Sequence, residues 1–244
     1  MISKQVLDLE PQFIAWRREL HAVPELSFQE VQTTEFLLKH LRSIPGLTIE
    51  QPTKTGVVAV LRGAHPGRTI ALRADIDALP IQEETDLPFA SKTPGVMHAC
   101  GHDGHAAMQL AAAQILAGER EQLHGEVRFL FQHAEELPPG GAVEMVKAGV
   151  MEGVSEVYGM HLSSNFPTGT FGVRAGALTS ATDRFDIEVI GKGGHSAFPE
   201  TCVDPVVTAA QIIPALQTIV SRRVRAVEPA VVSVCMVQGG QAYN

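Results

Sequence analysis

The feature that most constrains the fold is an alternation of two hydrophobic periods along the chain. Short, β-branched apolar runs bounded by Gly and Pro recur between longer stretches with apolar residues at helical spacing. Residues 5–20 place Val6, Leu9, Phe13, Trp16 and Leu20 on one helical stripe, and 29–42 repeat the pattern with Val31, Phe36, Leu38 and Leu41. Runs at 56–61, 69–72, 127–131 and 157–162 read as strands. Between them, a helix is expected from Gly104 to Leu116, with Gly118 as its stop, and a shorter one over 142–149. A further edge strand is expected at 169–173. Strands alternating with helices specify an α/β fold: a mixed, largely parallel central sheet flanked by helices.

The character shifts near residue 182. Arg184–Ile190 alternates polar and apolar residues, 204–224 carries a helical stripe through Val207, Ala210, Ile213, Leu216 and Val220, and 230–237 reads as another strand. This β-α-β set divides the chain into a domain over 1–181 and a smaller α+β domain beginning at 182–244. The chain stops at Asn244 soon after an apolar strand, an ending that a domain can have and that a truncated chain would also show.

Composition narrows the function classes. With 244 residues, 45% hydrophobic and 19% charged, the chain can bury a sizeable core and is neither collagenous nor disordered. It has no run of 18 apolar residues, so no membrane span is expected. A net charge of −8 without a basic cluster argues against a nucleic-acid partner. Three scattered cysteines and a polar N-terminus, Met1-Ile2-Ser3-Lys4-Gln5-Val6, point to a reducing, cytoplasmic location.

The histidines are clustered. Met97-His98-Ala99-Cys100-Gly101-His102-Asp103-Gly104-His105 sets a thiol and an imidazole two residues apart, where in an extended segment both face one way and can share an ion. Asp103 is a candidate to orient an imidazole by hydrogen bonding. Phe131-Gln132-His133-Ala134-Glu135-Glu136 puts paired carboxylates just beyond a strand, at the edge of an α/β sheet where ligands bind. Adjacent residues on an extended chain point apart. One glutamate can therefore hold a metal while the other moves a proton from water to a leaving amine. His161 ends a strand on that same edge. Asp75, in Arg73-Ala74-Asp75-Ile76-Asp77, shares a face with Arg73 and Asp77 and can brace metal ligands. His195 sits on the glycine-rich turn Gly191-Lys192-Gly193-Gly194-His195-Ser196, which lacks phosphate-loop spacing. Each of these also has a bland reading, respectively a polar loop, solvated glutamates, a core histidine, a salt bridge and a β-turn.

Other chemistries lack their residues. His-Glu-x-x-His and Gly-x-Ser-x-Gly are both absent, and His133-Ala134-Glu135 is not followed by the Pro-Cys-x-x-Cys of zinc deaminases.

These motifs resemble a known family, the co-catalytic metallopeptidases that include hippurate hydrolases, N-acyl-amino-acid amidohydrolases, aminoacylases and plant auxin-conjugate hydrolases. The matching segments run in the family's order through Arg18–His21, Pro24–Ser27, Arg73–Pro80, Met97–His105, Phe131–Glu136, Gly159–His161, Gly191–His195 and Gly239–Asn244. The resemblance implies an aminopeptidase-like catalytic domain with an inserted ferredoxin-like dimerisation domain, and hydrolysis of N-acyl amino acids with two divalent ions, zinc or manganese. It implies that Cys100, His102, Glu136 and His161 are metal ligands and that Glu135 is the general base. It also implies that His195 stabilises the oxyanion, that Asn244 lies near the substrate, and that the longer protein is a homodimer. The chain departs from the family at Val23, where histidine is usual, at His133, where proline is usual, and at Leu137-Pro138-Pro139, which replaces a glycine run. In the family the chain continues well past this one's end and supplies a last metal-binding histidine. The rival expectation is accordingly an inactive metal-binding fragment or a non-enzymatic binding protein. A third reading makes Cys100 the nucleophile of a metal-free amidase.

Overall fold

The computed structural model describes residues 2–244, whose chain divides into two compact units, the first running to Phe171 and the second over Gly172–Asn244.

The first unit opens with two helices, α1 (Lys4–Ala22) and α2 (Val31–Arg42). Ser3 caps α1, its hydroxyl accepting from the Val6 N–H. A five-stranded sheet follows, built from β1 (Leu47–Glu50), β2 (Val57–Arg62), β3 (His65–Asp75), β4 (His124–Gln132) and β5 (Val154–Gly159), in the order β1-β2-β4-β3-β5. The sheet is mixed. β1–β2 and β2–β4 pair antiparallel, while β3 pairs parallel with both β4 and β5. Parallel pairing needs a crossover, which α3 (His102–Gly118) supplies between β3 and β4. α4 (Gly141–Lys147) lies between β4 and β5.

Alternation along the strands builds a core on each face of the sheet. Val57, Ala59 and Leu61 of β2 and Val127, Phe129 and Phe131 of β4 face Trp16 and Leu20 of α1, Leu37 and Leu41 of α2, and Ala106, Ala107, Leu110 and Ala113 of α3. Val58, Val60, Ala71 and Leu130 face Met145 of α4 and Val150. β2 and the second half of β4 are buried on both sides, which explains their near-continuous apolar sequence. Parallel β3 and β4 also end at the same edge, so the segments that follow them are delivered together.

Several elements differ from expectation. β1 went unread because Leu47-Thr48-Ile49-Glu50 is only four residues long. β5 begins at Val154 and ends before His161. The segment at 169–173 is not a strand; the Thr170 N–H turns back onto the Pro167 carbonyl.

In the second unit, α5 (Pro205–Arg222) starts at Asp204, whose carboxylate accepts from the N–H groups of Val206 and Val207. The expected strands at 184–190 and 230–237 form no ladder among the described residues. A strand exists only against a partner, and here only the single bridge Lys192–Val203 forms. Phe185, Ile187 and Ile190 are exposed as a result. Among the described residues no helix is long and apolar enough to cross a membrane.

Candidate metal centre

Three chain segments converge beyond the ends of β3, β4 and β5. Cys100 and His102 are brought together by the turn at Gly101, which takes a left-handed φ of +89° at the start of α3, and not by an extended run. A side chain at Gly101 would be strained in that conformation and would press on Leu162. α3 begins two residues earlier than expected, so His102 belongs to its first turn.

The ligating atoms of Cys100, His102 and His161 all lie within 4.8 Å of one another, as do those of His102, Glu135 and Glu136. The two glutamates do not point apart. Ala134 adopts a left-handed φ of 46°, which turns the chain so that both carboxylates meet the same imidazole. Cys100 Sγ is 3.3 Å from His161 Nε2.

The tautomer of His102 follows from its neighbours. Its Nδ1 lies 2.9 Å from the Asp77 carbonyl oxygen, which can only accept, so Nδ1 carries the proton. Asp77 Oδ1 is a second acceptor at 3.2 Å. Nε2 is then left as a bare, buried lone pair with no hydrogen-bond partner. It faces Asp75 Oδ1 at 3.6 Å and Glu136 Oε1 at 3.7 Å, and that Glu136 oxygen is itself buried and unpartnered. A lone pair held against two carboxylate oxygens is repulsive unless a proton or a metal ion lies between them, and the carboxylates favour either. The residues therefore fit a metal ion.

The electrostatics agree. Burial opposes charge on His102, but Asp77, Asp75 and Glu136 outweigh it and hold its pKa above the ordinary histidine value. Burial and the adjacent Glu136 push the Cys100 thiol up to about 12. Asp77 is also buried, yet hydrogen bonds from His102, the Glu136 N–H and Ser27 bring its carboxyl down to about 2. Burial raises the Glu135 pKa, reinforced by Glu136 and Asp75.

The remaining residues divide into supports and neighbours. Asp75 accepts from His105 Nδ1 at 2.6 Å and from Arg73 at 2.7 Å. His105 Nε2 accepts the Leu162 N–H at 2.8 Å, so both its nitrogens are used and it braces the residue after His161. Asp103 does orient an imidazole, but it is that of His21, at 2.9 Å, together with Arg17 at 3.1 Å. His195 and Asn244 belong to the second unit. There the Asn244 carbonyl accepts from the Ser196 N–H at 3.3 Å, and His195 Nδ1 accepts from the Ala197 N–H at 3.1 Å. Reading by motif passed over His105, whose signal was its place in the same histidine cluster, three residues beyond His102 on one helix face.

The model of Peptidase family M20/M25/M40 matches residues 71–239, most of the chain and every segment of this centre. The chain belongs to that family. The M20 assignment is joined by individual likenesses. The chain is 54% identical over 243 residues to the N-acyl-L-amino acid amidohydrolase of Geobacillus stearothermophilus, covering 100% of this chain and 66% of that protein. It is 49% identical to the solved YXEP protein of Bacillus subtilis, a dinuclear metal binding peptidase of the M20 family, with a TM-score of 0.66 over 69% of this chain and 47% of the other. A protein classed as an aminohydrolase from methicillin resistant Staphylococcus aureus superposes with a TM-score of 0.80 at 36% identity, covering 100% of this chain and 66% of its own. The chain thus spans about two thirds or less of the length of these relatives.

Proposed function

We propose that the chain carries the metal centre of an amidohydrolase that cleaves N-acyl amino acids, hippurate-like ones included, to a carboxylate and a free amino acid. One observation carries this reading. The bare Nε2 of His102 stands among Cys100, Glu136 and His161, with Glu135 beside it as a carboxylate of raised pKa. The reading is supported by the Geobacillus relative, named for this reaction, and by the dinuclear Bacillus neighbour.

Cys100, His102, Glu136 and His161 would hold two divalent ions, zinc or manganese; the thiolate and imidazoles suit zinc and the carboxylates suit manganese. Bound there, such ions would supply the positive charge that acidifies a water and polarises an amide carbonyl. Glu135 takes the proton from that water and returns it to the leaving nitrogen, a task suited to a carboxylate whose pKa is raised toward neutrality. Asp77 keeps the His102 proton on Nδ1, so that Nε2 stays free to bind. His195 accepts at Nδ1 and so presents its Nε2–H, the donor needed where the carbonyl oxygen gains charge. Asn244 contacts the substrate.

Residues 182–244 would belong to the dimerisation domain, through which the longer protein forms a homodimer. Val206, Val207 and Ile219 of α5 are exposed apolar residues in that segment. A thiolate ligand and two further free cysteines, Cys202 and Cys235, fit the cytoplasm. The partner is a small molecule; a net charge of −8 offers nothing to a phosphate backbone.

The test is to assay amide hydrolysis and metal content together for the wild-type chain and Glu135→Gln. Loss of turnover with metal retained supports the reading. Wild-type turnover in Glu135→Gln would refute the proton-transfer role.

A further inference from the structure

Glu30 is a charged residue in the interior with no part in the chemistry above. Its side chain is 0% exposed, and among the described residues it forms no ion pair. Burying a carboxylate without a cation is costly unless its oxygens are hydrogen-bonded. Here they are. Oε2 accepts from the Thr55 hydroxyl at 2.8 Å. Oε1 accepts from the Phe28 N–H at 3.0 Å and from the Ala134 N–H at 2.8 Å.

The last bond spans 104 positions and ends on a residue of unusual backbone. Ala134 is fully buried with a φ of 46°, a left-handed conformation that a non-glycine residue keeps only where its surroundings enforce it. Glu135 and Glu136 follow directly. The direction in which both carboxylates leave the end of β4 is set by this turn, whose amide Glu30 grips while the Ala134 carbonyl accepts from the Gly141 N–H at 2.9 Å and the Glu136 N–H donates to Asp77 at 3.0 Å.

We propose that Glu30 is a positioning residue for the metal centre. From the start of α2, its buried carboxylate fixes the Ala134 turn and thereby aims Glu136 at the metal and Glu135 at the water. The proposal rests on the function assigned above, but metal affinity reads it without turnover.

The experiment compares zinc affinity, by competition with a chromophoric chelator, and kcat and KM on an N-acetyl amino acid, for the wild-type chain, Glu30→Ala and Glu30→Gln. Folding is checked by circular dichroism. Glutamine offers one oxygen to both amides and an amino group to Thr55, so it should recover most of what alanine loses. Glu30→Ala should bind zinc about 10–100-fold more weakly, as for other residues that orient ligands, with kcat falling in step and KM little changed. Should Glu30→Ala fail to fold, Glu30→Asp must show the loss instead, because it keeps the charge but withdraws the oxygens by one methylene. Wild-type zinc affinity and turnover in the folded alanine or aspartate variant would overturn the proposal, as would a glutamine variant no better than alanine. A wild-type chain that binds zinc without hydrolysing favours the inactive-fragment alternative and leaves the zinc comparison to decide Glu30. A wild-type chain that binds no zinc overturns both.

Discussion

Asp77 holds His102 by two acceptors at once, its carbonyl at 2.9 Å and its carboxylate at 3.2 Å from Nδ1. The same carboxylate accepts the Glu136 N–H at 3.0 Å and the Ser27 hydroxyl at 2.7 Å. One buried group thus sets the tautomer of His102 and holds the backbone of Glu136.

Asp77→Ala should therefore weaken zinc binding by about 10–100-fold. Asp77→Asn should do so by less, because its carboxamide oxygen can still accept from His102. Isothermal titration of the metal-free chain checks the order. Equal affinities in all three proteins would show that the contact is structural only.

Glu135 is predicted to move protons without being needed for metal affinity. Glu135→Gln should lower kcat by about 10²–10⁴-fold and leave metal stoichiometry unchanged. Metal analysis of the purified variant, run beside the activity assay, separates this outcome from loss of the ion.

The Cys100 thiol, pushed up to about 12 in the metal-free chain, is almost entirely protonated at neutral pH. Only a thiolate attacks alkylating reagents. Iodoacetamide should therefore modify Cys100 slowly near neutral pH, more slowly than the exposed Cys235. Mass spectrometry of timed samples checks this. Preferential modification of Cys100 would revive the thiol-nucleophile alternative.

His21, 3% exposed, bonds Asp103 at 2.9 Å and Glu83 at 3.2 Å. The Asp103 hydrogen bond raises its pKa most; burial opposes this, and the charges of Asp103 and Glu83 add to the rise. A pKa raised by folding stabilises fully below the unfolded value of about 6.5, and the effect is lost as pH climbs through the folded value. His21→Gln should thus lower the urea midpoint more at about pH 6 than at about pH 9. An equal gap at both would refute the pairing.

How much of this was legible in the sequence depends on range. The apolar periods of α1, α2, α3 and β4 are local patterns, and they placed those elements within a few residues. Cys100, His102, Glu135, Glu136 and His161 stood out as metal-type residues expected at one sheet edge, and the fold brings their side chains together there. Geometry was less legible. The αL turn at Gly101 and the positive φ of Ala134 reverse the directions an extended chain would give. Glu30 carried no signal, since its partner lies 104 positions away and a glutamate before a helix reads as solvated. At 184–190 and 230–237 the period was strand-like, but a period cannot supply the neighbour a strand must bond.

The account rests on metal-dependent amide hydrolysis, and one titration tests it most directly. The chain is stripped with a chelator and assayed on N-acetyl and N-benzoyl amino acids while zinc or manganese is returned. The prediction is no turnover in the stripped protein and recovery that saturates near about two equivalents per chain. Turnover that survives chelation, and is lost instead on alkylation of Cys100, would contradict it.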